Sequence, residues 1–137
     1  MANVRVDCFF YGLFMDPDVL RENGVAPTAP RHAYSEDHRL RIGARATLVR
    51  SPGDRAYGMI FALTHDELER LYSAPGLEQY RAETISVTTF EGERLDVSCY
   101  NLSVPPGPGV GSSEYAERLR AVLAKLGFPS EYVASVG

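Results

Sequence analysis

The sequence of 137 residues has little of what marks secreted, membrane or nucleic-acid-binding proteins. It has no tryptophan, one lysine and two cysteines, and so few cysteines indicate a reducing compartment rather than a disulfide scaffold. No apolar run approaches the roughly 18 residues of a membrane span, and the six-residue stretch Cys8–Leu13 is too short for a signal peptide. The formal charge of −4 and the pI near 5.3 are far from a basic, nucleic-acid-binding balance. We therefore expect a cytoplasmic protein that binds neither nucleic acid nor membranes.

The composition is that of an ordinary globular domain. Hydrophobic residues make up 45% of the chain and charged residues 23%. The length suits a single hydrophobic core, so we expect one domain over residues 1–137.

The periodicity of hydrophobic residues and the positions of glycine, proline and helix-capping residues predict alternating strands and helices. Strands are expected at 4–11, 33–49, 56–63, 80–90 and 95–102. Helices are expected at 17–22, from the capping box Thr64–Glu67 to Pro75, at 113–126 and from Pro129. Residues 25–31 read as a connection, and Ser51–Asp54 as a turn. This order predicts a mixed α/β (α+β) domain, and a barrel would remove the strand edges.

The residue types that most often carry chemistry occur here without a recognisable spacing. His32, His38 and His65 do not pair with another ligand at a metal-binding interval, so we expect no metal site. Cys8 and Cys99 fall within apolar strands, which favours inert core thiols over a nucleophile.

The segment around Gly12 is more informative. A buried strand leads into a glycine turn at the start of a helix, where successive amides can form a concavity for a carboxylate or an oxyanion. The amides of Leu13, Phe14 and Met15 are the candidates, and Gly12 would let a ligand approach the backbone. The alternative is an ordinary strand-to-helix turn.

These residues also carry a family resemblance. Tyr11–Met15 (YGLFM) resembles the Y-G-[ST]-L-[ML] opening of the γ-glutamylcyclotransferase-like (AIG2-like) family. The likeness extends in order over residues 4–134. Its other segments are ARATL from Ala44, SPG from Ser51, YGMIFALT from Tyr57, DELERL from Asp66, YR from Tyr80 into Val87, Tyr115–Leu119, and GFPSEY from Gly127.

The resemblance implies a small mixed β-barrel flanked by helices and a pocket for a γ-glutamyl or related amide group. We expect no cofactor. In the family, a glutamate takes a proton from the substrate α-amine, which then attacks the γ-carbonyl and releases 5-oxoproline and an amine. Tyr11, Gly12, Leu13, Phe14 and Met15 are then the substrate-binding residues. Tyr80 and Tyr100 join them, since these tyrosines are expected on neighbouring strands with at least one hydroxyl in the pocket.

The chain departs from the family at the catalytic position. Leu71–Gly76 replaces the family's L-D-x-x-E-G, so Tyr72 stands for the aspartate and Pro75 for the glutamate. Proline cannot transfer a proton, and Glu78 is the nearest carboxylate downstream. We therefore predict weak or absent activity on γ-glutamyl amino acids and γ-glutamylamines, with Glu78 as the candidate base.

Three functions remain open at this stage. The protein could be a cyclotransferase with a relocated carboxylate, a catalytically silent small-molecule binding protein, or an accessory subunit of an amide-processing enzyme; a homodimer is possible in each case. A carboxylate in the cavity would favour the enzyme, a cavity without one the binding protein, and a filled cavity with a large apolar patch the subunit.

Overall fold

The structure, a computed structural model, describes residues 4–42, 46–73, 77, 79–102 and 113–136. A five-stranded closed barrel forms the centre of this part of the chain. The strands are β1 (Arg5–Phe10), β2 (Thr28–Ile42), β3 (Ala46–Thr64), β4 (Tyr80–Thr89) and β5 (Arg94–Leu102). The helices are a 3₁₀ helix (Leu13–Met15), α1 (Pro17–Glu22), α2 (His65–Tyr72), α3 (Ser113–Lys125) and α4 (Ser130–Ser135). This arrangement confirms the predicted mixed class and barrel. None of the helices described here has the length and apolar character needed to cross a membrane.

Strand β1 closes the barrel and is buried on both faces. It pairs antiparallel with β3 and parallel with β5, and the strand order around the barrel is β1-β3-β2-β4-β5. Phe9 and Tyr11 belong to a core cluster built from strand residues, which fills the barrel, whereas Cys8 and Phe10 belong to a cluster shared with the helices. Successive side chains of a strand point to opposite faces, so β1 contributes buried side chains to both clusters.

Capping side chains set the starts of α1 and α2, and the capping box of α2 is the one that the sequence predicts. Asp16 caps α1 by accepting from the Asp18 amide at 2.9 Å, with Pro17 at the first helical position. Thr64 and Glu67 form the capping box of α2, with amide-to-side-chain distances of 2.9 and 3.2 Å.

Helix α3 is fixed against the start of α1 by its last residue. The ammonium group of Lys125 donates to Asp16 at 3.1 Å and to Asp18 at 2.9 Å. These contacts lower the pKa of the Asp18 carboxyl and raise that of Lys125. Asp16 is only 6% exposed, so the pair joins α3 to the same junction that follows β1.

Two predictions about connections are wrong. Ser51–Asp54 is not a turn but part of β3, and residues 28–31 of the expected connection belong to β2. Asp37 and Gly53 both adopt positive φ where the β2–β3 register shifts, and the Gly53 amide donates to Asp37 at 3.0 Å. The turn-forming residues therefore produce an irregularity within a long ribbon instead of reversing the chain.

Both cysteines are free and completely buried, as the sequence indicates. Burial raises the pKa of the Cys8 and Cys99 thiols well above the usual range, which disfavours the nucleophilic thiolate. Within the described ranges, no three His, Cys, Asp or Glu side chains are grouped closely enough to hold a metal ion.

Gly58 fixes the distance between β3 and the end of β1. A Cβ at this position would lie 2.1 Å from the Phe10 carbonyl oxygen and 3.0 Å from the Phe9 ring. Because the nearest obstacle is backbone, it cannot move aside as a side-chain tip could. Only glycine allows β1 to lie this close to β3.

We expect Gly58→Ala to lower the free energy of unfolding by about 3 kcal/mol or more, because the methyl group forces β1 away from β3. Denaturant titration followed by circular dichroism measures the loss. Gly53→Ala is the control, since Gly53 has a φ of +87° but no atom within 4 Å of a built Cβ. That variant should cost only about 1–2 kcal/mol, the cost of the left-handed backbone. Equal losses in the two variants would contradict the close-approach argument.

Candidate ligand-binding site at the end of β1

A cleft of about 240 Å³ opens where β1 passes into the 3₁₀ helix. Its walls come from the β1 end, the 3₁₀ helix, α1, α2, the start of β3, β4 and α3. The described lining residues are Phe10, Tyr11, Gly12, Leu13, Phe14, Val19, Ala46, Tyr72, Leu77, Tyr80, Tyr115 and Arg118. The structure thus brings together five of the predicted site residues with seven others.

The amides after Gly12 are only partly available to a ligand. The Met15 amide donates to the Gly12 carbonyl at 3.0 Å, as the 3₁₀ turn requires. The Leu13 amide donates to the Tyr115 hydroxyl at 3.3 Å. In the described part of the chain, the Phe14 amide has no acceptor. The predicted three-amide cradle is therefore reduced to Phe14, beside the hydroxyl of Tyr115.

Met15 does not line the cleft, although the sequence places it in the site. Its side chain is completely buried in the core shared with the helices, and its amide is used within the turn. Consecutive residues of a 3₁₀ helix point in directions about 120° apart, so the Leu13 and Phe14 side chains can face the cleft while that of Met15 faces the core. We leave Met15 out of the proposed contacts.

The two predicted tyrosines of the β4–β5 pair have different positions. Tyr80 lines the cleft, and its hydroxyl donates to the Ala46 carbonyl oxygen. Tyr100 is not among the described lining residues; its ring stacks on Tyr72, with 4.0 Å between centroids and 7° between planes. Its carbonyl oxygen accepts from the Tyr11 hydroxyl at 2.7 Å. Tyr100 therefore supports the wall from behind.

Tyr72, which the resemblance aligns with the family's aspartate, builds one aromatic wall. Besides stacking on Tyr100, its ring meets Phe14 edge-on at 5.9 Å and lies 5.7 Å from the ring of Tyr80. Burial raises the pKa values of the Tyr72 and Tyr11 hydroxyls well above the usual range. Both phenols keep their protons at neutral pH and cannot serve as bases there.

Pro75 and Glu78, the two positions that the sequence analysis connects with catalysis, lie outside the described residues. Leu77, between them in sequence, is buried and lines the cleft. The assignment of Glu78 as the base stays a prediction. Among the described lining residues none carries a carboxylate, and Arg118 is the charged one.

Sequence reasoning missed the contribution of α3. Neither Tyr115 nor Arg118 is among the site residues that the sequence predicts. They are three residues apart and therefore lie on one helix face, which here meets the cleft. The i, i+3 spacing indicates that Tyr115 and Arg118 share a helix face. Only the fold shows that this face meets the end of β1, which lies about a hundred residues earlier in the sequence.

A larger hollow of about 400 Å³ lies beside β2 and β4 and contains none of the predicted site residues. The two strands pair only at Ala33–Thr89 and Tyr34–Thr88, so they diverge beyond these pairs. The hollow is lined by acidic and basic side chains together and has few apolar walls. Ligand sites are mostly apolar with a few placed polar groups, which favours the smaller cleft.

Comparison with known proteins agrees with this fold. The family model described as "Gamma-glutamyl cyclotransferase, AIG2-like" matches residues 8–117, most of the chain. The protein belongs to this family. The family model includes the β1 end, the 3₁₀ helix and Tyr115 but stops one residue before Arg118.

Individual relatives are more distant. A γ-glutamylcyclotransferase from Bos taurus is 28% identical over 96 residues, which cover 66% of this chain and 48% of the bovine protein. A solved structure titled "Gamma-glutamyl cyclotransferase" superposes with a TM-score of 0.76 at 20% identity, covering 97% of this chain and 88% of that one. YkqA from Bacillus subtilis superposes with a TM-score of 0.75 at 17% identity, over 98% of this chain and 52% of YkqA. The two structural matches establish the fold.

The contact between Gly12 and Tyr115 gives a prediction for this site. A Cβ on Gly12 would lie 2.6 Å from the Tyr115 hydroxyl oxygen. We expect Gly12→Ala to destabilise the protein, and Tyr115→Phe in the same chain to relieve part of the loss by removing the obstructing oxygen. A double-mutant cycle by denaturant unfolding should give a favourable coupling of about 1 kcal/mol. Strictly additive losses would show that the hydroxyl does not occupy the space above Gly12.

Proposed function

We propose that the protein binds the γ-glutamyl group of a small amide in the cleft at the end of β1, and that it releases 5-oxoproline slowly or not at all. The observation that carries the proposal is the composition of the cleft. It offers the open Phe14 amide, the Tyr115 hydroxyl and Arg118 among aromatic walls, but no carboxylate among its described lining residues.

The polar groups of the cleft suit an amide ligand. The Phe14 amide can donate to a carbonyl oxygen or to the oxyanion that develops from it. Tyr72 and Phe14 supply flat apolar surface for the methylene groups of a glutamyl chain. Few polar groups among apolar walls are typical of small-molecule sites.

The cyclisation itself needs a proton acceptor that these residues do not supply. The α-amine nitrogen attacks the γ-carbonyl carbon, the amide bond to the leaving amine breaks, and the proton from the attacking nitrogen is passed to that amine. Tyr11 and Tyr72 stay protonated because burial raises their pKa values. Pro75 has no acidic group, so we assign any turnover to Glu78, the nearest carboxylate downstream in the sequence.

The features that would favour an accessory subunit are weak here. The cleft is open rather than filled. Among the described residues, Val4 and Phe90 are the large hydrophobic side chains that are exposed, and they lie at the first described residue and at the β4–β5 turn. Two separated side chains do not form the large apolar patch that a permanent interface requires.

The proposal is tested by measuring binding and turnover separately. We expect γ-glutamylglycine to bind the wild type in isothermal titration calorimetry, while 5-oxoproline release, followed by chromatography, stays near the uncatalysed rate. Pro75→Glu restores a carboxylate at the family position and should raise release by about 10²-fold or more, the usual range for a positioned base. Circular dichroism verifies that each variant is folded.

Glu78→Gln and Glu91→Gln form a matched pair for the wild-type background rate. Glu91 lies in the exposed turn after β4, so its loss should change nothing. If Glu78→Gln alone abolishes measurable release, Glu78 is the base and the protein is a slow enzyme. Rapid release by the wild type that survives Glu78→Gln would contradict the proposal, as would the absence of binding.

A further inference from the structure

Arg118 is a guanidinium at the rim of the cleft with no assigned role. It lies on the exposed side of α3, one turn after Tyr115, and contributes to the cleft lining. In the described part of the chain no carboxylate pairs with it: the ion pairs there involve other arginines and Lys125. Even Glu114, one turn earlier on the same helix face, forms no ion pair with it.

An unpaired arginine beside an aromatic-walled cleft is suited to an anionic ligand. The guanidinium presents donors in a planar fork that matches the two oxygens of a carboxylate. The rings of Tyr72, Tyr80 and Phe14 give the cleft its aromatic walls, and the guanidinium lies at its exposed rim. The cleft already has the Phe14 amide for a carbonyl oxygen, so the guanidinium is left for a second polar group.

We propose that Arg118 is a specificity-determining residue that binds a carboxylate on the amine half of the ligand. The inference rests on the proposed function, which places the γ-glutamyl half at the end of β1. Tyr11 there is 5% exposed, whereas Arg118 is at the solvent side of the same cleft. With the glutamyl half held at the buried end, the amine half extends toward the rim and reaches Arg118.

The substrate class follows from this placement. Ligands whose amine half is an amino acid carry a carboxylate next to the amide nitrogen and would pair with Arg118. Simple γ-glutamylamines lack that carboxylate and would leave the guanidinium unpaired. The glutamyl α-carboxylate is the other possible source of the same chemistry, and the experiment must distinguish the two.

γ-Glutamylglycine and γ-glutamylmethylamine make a matched ligand pair, since they differ by one carboxylate on the amine half. We expect the wild type to bind the glycine compound about tenfold more tightly, and Arg118→Gln to bind both compounds equally. The preference should shrink as salt is raised, because the pair lies near solvent. Titration calorimetry measures the dissociation constants, with 5-oxoproline assayed afterwards to exclude turnover.

Arg39→Gln is the control, because Arg39 is an exposed arginine of β2 outside the cleft lining. It should keep the wild-type preference. Equal weakening of both ligands by Arg118→Gln would place Arg118 on the glutamyl carboxylate and overturn the assignment to the amine half. Unchanged affinity of Arg118→Gln for both ligands would overturn the inference while the proposed function stands. Failure of both ligands to bind the wild type would instead overturn the proposed function, and the inference with it.

Discussion

The close approach of the Phe10 carbonyl to Gly58 is the constraint on which the site depends. It sets β1 against β3 at the end of the barrel, so the chain leaves the sheet at one defined point. Phe9 and Phe10, buried on opposite faces, prevent β1 from slipping or rotating there, since a slip of one residue would exchange the two cores. Tyr11 and Gly12 follow directly, and their position is therefore a consequence of barrel packing.

Helix α3 is tied to this same junction at both of its ends. Near its start, the Tyr115 hydroxyl accepts from the Leu13 amide, and at its last residue Lys125 pairs with Asp16. An exposed ion pair alone adds little stability, but Asp16 is buried and also caps α1. The two contacts together fix the helix face that carries Arg118 relative to the β1 end. The width of the cleft therefore depends on contacts between residues that are about a hundred positions apart.

This separation explains which features the sequence could predict. The Asp16 cap, the Thr64–Glu67 capping box and the positive φ of Gly127 were all predictable, because each depends on neighbouring residues. The residues around Ser51–Asp54 carry the same kind of local signal, but pairing across the ribbon decides their structure. In the site, the Y-G motif indicated the end of β1. No local signal indicated that the Leu13 amide would donate a hydrogen bond to the Tyr115 hydroxyl. Arg118 could not be placed at all without knowing which side of α3 meets the barrel.

Under the proposed function, the binding surface and the proton acceptor come from different parts of the chain. The walls and the Phe14 amide come from β1, the 3₁₀ helix, α2, β4 and α3, all of which are held by core packing. The resemblance puts the family's proton acceptor instead in the short stretch between Tyr72 and Tyr80, outside the elements that supply these walls. Tyr72, which the resemblance aligns with the family's aspartate, adds a partly buried aromatic contact, and its stacking on Tyr100 stabilises the wall. Under the proposed function, a chain can thus lose the base and retain a well-packed site, and ligand selection by the remaining polar groups becomes its main chemical property.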